Sequence, residues 1–213
     1  MKKNALILLL LLIVFTIPIA KATPTTILVY GDSLSASFGI PIETGWVSLL
    51  AQRLKDQYTH YQVVNASISG ETTLGGLNRI DQALAAHNPG IIIIELGAND
   101  GLRGTSIQTL YENLAAMIQK SQKNNTRILL VGMQLPPNYG MSYTQKFKET
   151  FIRLAKDYQI QLIPFLFEGF AGSPDFFLAD RLHPNEIAQP KILETIWQGL
   201  EPMLKNHSSS ASN

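Results

Sequence analysis

Ser33 lies directly behind an apolar run, Ile27-Leu28-Val29-Tyr30, in the context Gly31-Asp32-Ser33-Leu34. Gly, Asp and Ser are ordinary turn residues, so the triplet alone reads equally well as punctuation after a buried strand. A serine hydroxyl becomes a nucleophile only when a base takes its proton, and histidine suits that role near neutral pH. The chain has four histidines: His60, His87, His183 and His207. His60 and His87 fall in or beside helical segments without an obvious acidic orienter, and His207 is in the C-terminal tail. His183 alone has an aspartate, Asp180, three positions earlier. In a tight turn or helix start such positions lie close together, so the carboxylate can accept from one ring nitrogen while the other faces Ser33. Pro184 and Asn185 suit the start of a following helix.

Attack on a carbonyl places negative charge on its oxygen, which calls for preorganised donors. The backbone N–H groups of Ser33 and Gly70 and the side-chain amide of Asn99 are the candidates. Glycine at 70 lets backbone approach a substrate with no side chain in the way. Each piece also has a plain structural reading: Gly70 as a turn glycine, Asn99 as a cap or turn residue, His183 as a surface residue beside an N-cap. Asp32 and Asp100 read as structural, holding their own loops through backbone hydrogen bonds. What favours chemistry is that all four signals occur together, in positions that a common scaffold can bring to one edge.

That scaffold follows from the alternation of strand-like and helical segments. Strands are expected at Thr26–Tyr30, Gln62–Asn65, Ile91–Leu96, Arg127–Val131 and Gln161–Pro164. The run Ile91-Ile92-Ile93-Ile94 is apolar on both faces, as for a central strand of a covered parallel sheet. Between the strands run amphipathic stripes. They are Trp46, Leu49, Leu50 and Leu54; Leu77, Ile80 and Leu84, closed by Asn88-Pro89-Gly90; Ile107, Leu110, Tyr111, Leu114 and Ile118, capped by Thr105 or Ser106; Phe147, Phe151, Leu154 and Tyr158; and Leu193, Ile196, Trp197 and Leu200. Their aromatic members read as core. The pattern predicts an α/β fold, a three-layer α/β/α sandwich around a five-stranded parallel sheet. In such folds sites form beyond the carboxyl ends of the strands, where strand order reverses. The loops Gly31–Leu34, Ala66–Thr72 and Gly97–Asp100 should all open there.

In this arrangement the chain resembles the GDSL, or SGNH, hydrolase family, marked by Ser, Gly, Asn and His in four separated blocks. Here they are Ser33, Gly70, Asn99 and His183, with further likeness in "VVNASISGETT", "ELGANDGLRG", "LPPNYG" and "HPNEIAQP". The likeness is strongest to the family's bacterial periplasmic thioesterases, which also act as protease and lysophospholipase. One departure is Ala98, where glycine is expected in the third block. The resemblance implies a flavodoxin-like SGNH fold and a catalytic set of Ser33, Asp180 and His183. It also implies oxyanion donors from Ser33, Gly70 and Asn99, and hydrolysis of fatty-acyl thioesters, lysophospholipids and small aromatic esters. Gly101–Ser106 and Gln134–Tyr139 should flank the site. Leu102, Ile107, Leu135, Pro136 and Tyr139 are the candidate lining of an acyl groove, although helix packing explains Ile107 equally well. Two rivals stand beside this reading. One is a carbohydrate acetylesterase of the same family, weakly disfavoured because few exposed aromatics fall in the expected site loops. The other is a non-catalytic small-molecule-binding module, for which the chain offers neither G-x-G-x-x-G at the first helix nor a P-loop.

Composition narrows the setting. Lys2 and Lys3, the apolar run Ala5–Ala20 and Ala20-Lys21-Ala22 form the basic, apolar and small-residue parts of a secretory signal peptide, with cleavage expected after Ala22. Residues 23–205 would then be one hydrolase domain and 206–213 a disordered tail, with no stable membrane anchor after cleavage. An exported, periplasmic or secreted monomer is expected. The chain has 17 basic and 16 acidic residues, so no basic excess invites nucleic acid. It contains no cysteine, so stability rests on packing. Serine acyl transfer requires no metal or organic cofactor, and none is expected; the partner is a small acyl ester, thioester or lysophospholipid.

Overall fold

The computed structural model describes residues 24–208. The segment read as a signal peptide lies outside the described residues. Five strands form one sheet: β1 (Thr25–Gly31), β2 (Tyr61–Asn65), β3 (Ile91–Glu95), β4 (Arg127–Val131) and β5 (Gln161–Ile163). All pair in parallel, in the order β2-β1-β3-β4-β5. The two strands beside the reversal of order, β1 and β3, each carry a four-residue apolar run. Ile27–Tyr30 and Ile91–Ile94 are fully buried, and each such side chain contributes roughly 1.5–3 kcal/mol through burial.

The helices are α1 (Trp46–Gln57), α2 (Thr73–His87), α3 (Ala98–Leu102), α4 (Ile107–Lys123), α5 (Met141–Tyr158) and α6 (Gln189–Ser208). α1 and α6 pack against each other, while α2, α4 and α5 form a second contiguous row. With the sheet between them, these rows make the three layers expected. Helix ends follow local chemistry. The Thr72 side chain accepts from Gly75 N to start α2, and Ser106 accepts from Thr109 N to start α4. Asn88, at φ 38°, ends α2 in the left-handed conformation.

Two elements depart from expectation. The third loop is not a loop but α3, a short helix entered through Gly97 at φ 120°. A Cβ there would lie 3.1 Å from Phe151 and 3.2 Å from Leu110, so both the backbone angle and the close packing require glycine. At the other end, α6 runs to Ser208, past Asn206 where the tail was expected to begin; residues 209–213 lie outside the described residues. No described helix is long and apolar enough to cross a membrane.

Candidate active site

The reversal of strand order between β1 and β3 opens a crevice at their carboxyl ends, and Ser33 stands at its floor, 8% exposed. The turn that carries it is closed by Asp32 Oδ1 accepting from Leu34 N at 3.0 Å and by Ala36 N donating to Asp32 O at 3.0 Å. Ser33 Oγ lies 2.9 Å from His183 Nε2, and His183 Nδ1 lies 2.7 Å from Asp180 Oδ2. An ionised carboxylate only accepts, so the proton belongs on Nδ1 and leaves Nε2 with a lone pair facing the hydroxyl.

The His183 turn is built by Asp180 itself. Its Oδ1 accepts from Leu182 N at 2.9 Å and from His183 N at 3.0 Å. Partial burial alone would raise the Asp180 carboxyl. The two backbone N–H bonds and the imidazole outweigh it and hold the group at about 2. Phe38 covers the other side of the imidazole, with ring centroids 4.4 Å apart.

Trp46, buried at the start of α1, joins the two halves. Its N–H donates to Gln189 Oε1 at 3.0 Å, and its indole N–H donates to Leu34 O at 3.2 Å. Gln189 in turn donates to Pro184 O and Asn185 O behind the histidine. One side chain and one amide thus tie the serine turn to the histidine turn.

The loop after β2 is drawn to the same edge because the parallel ladder continues beyond the strands, with Ala66 N on Val29 O and Ile68 N on Gly31 O. Arg79 holds this loop, bonding Glu71 Oε2 at 2.7 Å and Ala66 O at 2.8 Å. Gly70 is exposed at φ 79°, a Cβ on it would meet nothing within 4 Å, and its carbonyl accepts from Arg103 at 3.2 Å. Asn99, in the first turn of α3, donates through Nδ2 to Asp32 Oδ2 and to Glu71 O, both at 3.0 Å. Asp100 does not hold its own loop as expected. It accepts from Thr73 N at 2.8 Å and Thr73 Oγ1 at 2.5 Å, docking α3 onto the start of α2.

Beneath the serine lies a carboxyl pair that the residue pattern did not reveal. Asp32 and Glu95 are fully buried; Glu95 Oε2 accepts from Ser35 Oγ at 2.7 Å and from Asp32 N at 3.4 Å, while its Oε1 has no protein partner. Burial, joined by the charge of Asp32, pushes Glu95 well above the usual carboxylate range, against the Ser35 and Asp32 hydrogen bonds. Burial likewise pushes Asp32 up to about 6, against the Leu34 and Asn99 hydrogen bonds and the neighbouring His183. Asp32, at about 6, is therefore mostly ionised at neutral pH, while burial and the Asp32 charge favour the protonated form of Glu95.

A cavity of about 450 Å³ opens from the serine. Leu102, Leu135 and Pro136 line it, as does Ala98, whose methyl replaces the expected glycine. Ile107 does not: it begins α4 and borders a separate depression with Tyr111 and Arg153. Tyr139 also falls outside the lining, on the exposed 3-10 turn Pro137–Tyr139. The wall instead includes Phe165, Phe167 and Phe177, beyond β5. The loops are thus richer in aromatics than expected, although these rings pack edge-to-face on one another, as Phe167 does on Phe177 at 5.6 Å and 80°. Five phenylalanines within 165–177 at a strand end were the available signal. Among the described residues no three His, Cys, Asp or Glu are grouped as a metal site.

A parallel α/β sheet with a serine, an imidazole and a carboxylate in line at its switch point defines the acyl-hydrolase class of α/β protein. Residues 29–189 match the GDSL-like lipase/acylhydrolase family, and the chain belongs to that family. It is 46% identical to Esterase TesA of Pseudomonas aeruginosa, over 86% of this chain and 92% of that one. It is 40% identical to an arylesterase of Vibrio mimicus, over 91% of this chain and 96% of that one. Thioesterase 1/protease 1/lysophospholipase L1 of Escherichia coli is 37% identical, over 88% of both chains. The crystal structure of TesA superposes with a TM-score of 0.81, covering 84% of this chain and 99% of that one.

Proposed function

We propose that the protein hydrolyses acyl esters and thioesters through an acyl-serine intermediate, with long-chain acyl groups of thioesters and lysophospholipids as its substrate class. The observation that carries this reading is the 2.9 Å approach of Ser33 Oγ to His183 Nε2, backed by Asp180 at 2.7 Å, at the mouth of an apolar cavity. Ser33 Oγ attacks the carbonyl carbon while its proton passes to His183. The new C–O bond forms, the carbonyl π pair moves to oxygen, and Ser33 N–H, Gly70 N–H and the Asn99 amide receive that charge. The C–S or C–O bond then breaks as His183 returns the proton to the leaving group. Water repeats the cycle, losing its proton to His183, and frees the acid and the serine. Both Asn99 amide hydrogens are engaged in the free site, so serving the oxyanion requires exchange of one, and the Glu71 carbonyl is the neutral, weaker partner.

The apolar lining with its self-packed phenylalanines supports a fatty-acyl group over a sugar, which needs free aromatic faces and polar partners. Export is supported by the basic, apolar and small-residue pattern of residues 1–22. The test uses p-nitrophenyl esters of increasing chain length, an acyl-CoA and a lysophospholipid, with Ser33→Ala alongside. Turnover that rises with chain length and falls on the order of 10⁴-fold or more in Ser33→Ala is expected. Preference for acetyl would indicate a carbohydrate acetylesterase, and no turnover by the folded wild type would indicate a binding module.

A further inference from the structure

Arg181 sits between Asp180 and His183 with φ 57°, in the left-handed region that glycine enters more readily. The turn makes no use of its side chain. The turn's hydrogen bonds run from Arg181 N to Leu178 O and from Leu182 N and His183 N to Asp180 Oδ1. Yet the side chain lines the cavity with Phe177, Leu182 and His183, and among the described residues no carboxylate pairs with its guanidinium. The one carboxylate in that lining, Asp32, is fully buried and already bonded to Leu34 N and Asn99. Glu168 borders the neighbouring depression instead. An exposed cation with no carboxylate partner among the described residues thus stands in the wall of a mainly apolar cavity, in a backbone position that a smaller residue would occupy with less strain.

Its position has a direction. His183 Nε2 hands its proton to the departing group, so the leaving group exits on the histidine side, two residues from Arg181. We propose that Arg181 is an anion subsite for the leaving group, selecting acyl donors whose departing half carries a phosphate. The acyl half occupies the apolar cavity, and a guanidinium at the rim offers paired N–H donors to phosphate oxygens. This rests on the acyl-hydrolase reading above. Two sources share the chemistry, the phosphates of an acyl-CoA and the headgroup of a lysophospholipid.

Matched substrates separate the contributions. An acyl-CoA is compared with the uncharged N-acetylcysteamine thioester of the same acyl group, and a lysophosphatidic acid with the corresponding monoacylglycerol. In Arg181→Gln and Arg181→Gly the kcat/KM ratio of phosphate-bearing to neutral partner should fall about tenfold at low ionic strength, and by much less at about 0.5 M salt. A fall in the thioester pair alone assigns the subsite to the CoA phosphates; a fall in the lipid pair alone assigns it to the headgroup. Arg181→Gly removes the backbone strain, so its melting temperature should match or exceed that of the wild type. Unchanged ratios in both pairs, or equal loss on charged and neutral partners, would overturn the subsite. If the folded wild type cleaves neither thioester nor lipid, the acyl-hydrolase reading fails, and the subsite with it.

Discussion

Asn99 carries two amide hydrogens, and both have partners, the Asp32 carboxylate and the Glu71 carbonyl. The carboxylate is the stronger acceptor and sets where the amide points. Asp32→Asn replaces it with a group that also presents N–H, so the amide should lose its seat. We expect kcat to fall between tenfold and a thousandfold, roughly the worth of one oxyanion donor, with KM little changed. A change confined to KM would argue against this role. Asp180→Asn keeps an oxygen for the Leu182 and His183 backbone N–H groups but faces Nδ1 with an uncharged NH2 that cannot accept its proton. A loss of about a hundredfold or more in kcat is expected, with the far-ultraviolet circular dichroism spectrum unaltered. Arg103, whose guanidinium bonds Gly70 O, is a milder case. Its bond is exposed, and Arg103→Ala should cost severalfold in kcat by loosening the glycine loop.

At the scale of elements, the site depends on how α1 and α6 are bolted together. Gln189 accepts from the buried Trp46 N–H and donates behind His183, so Gln189→Ala orphans a backbone donor and frees the histidine turn. We expect about 1–3 kcal/mol lost in stability and about a hundredfold lost in kcat. Gln189→Glu keeps the acceptor but buries a carboxylate oxygen against the Pro184 and Asn185 carbonyls, so it should recover neither stability nor rate at neutral pH. Chemical denaturation and steady-state kinetics on both variants separate the two effects. The strands are legible in the sequence because four consecutive isoleucines, or Ile-Leu-Val-Tyr, tolerate little else. The short helix α3 is not, because Gly97-Ala98-Asn99-Asp100 reads as a turn by local preference. What makes it a helix is non-local, namely Asp100 gripping Thr73 and Gly97 pressed against Phe151. Glu95 was hidden for the same reason. It closes an apolar strand, and nothing in its neighbours along the chain announces that its carboxyl turns inward toward Asp32. The order of Ser33, Gly70, Asn99 and His183 could be read directly. The bracket of Trp46 and Gln189 could not, since an aromatic in a helical stripe looks like any core residue.

For the whole molecule, the buried carboxyl pair sets how stability responds to pH. A carboxyl raised in the fold favours folding while it keeps its proton. Its contribution is greatest below the unfolded-state value and is lost as pH rises toward the folded one. Asp32 moves from 3.8 to about 6, and Glu95 lies well above 4.5. Asp180 works in the opposite sense: held at about 2, it stabilises above pH 3.8, and that benefit disappears as pH falls toward 2. The melting temperature should therefore be highest near pH 4, where the Asp180 benefit is in place and the loss at Asp32 begins, and fall as pH rises toward about 6, with a slope of up to about 1.4 kcal/mol per pH unit for each raised carboxyl. Glu95→Gln should flatten this slope, and an unaltered slope in that variant would sink the assignment. The same fold has a consequence for when the chain can act. The Ser33 hydroxyl and the His183 imidazole are separated by 150 positions. A polypeptide still leaving the ribosome has made its serine long before its imidazole, and the last helix must seat before the two can meet. Ester hydrolysis by a half-made chain is thereby excluded by topology, and the onset of turnover during refolding should mark the seating of the His183 turn and the helix behind it.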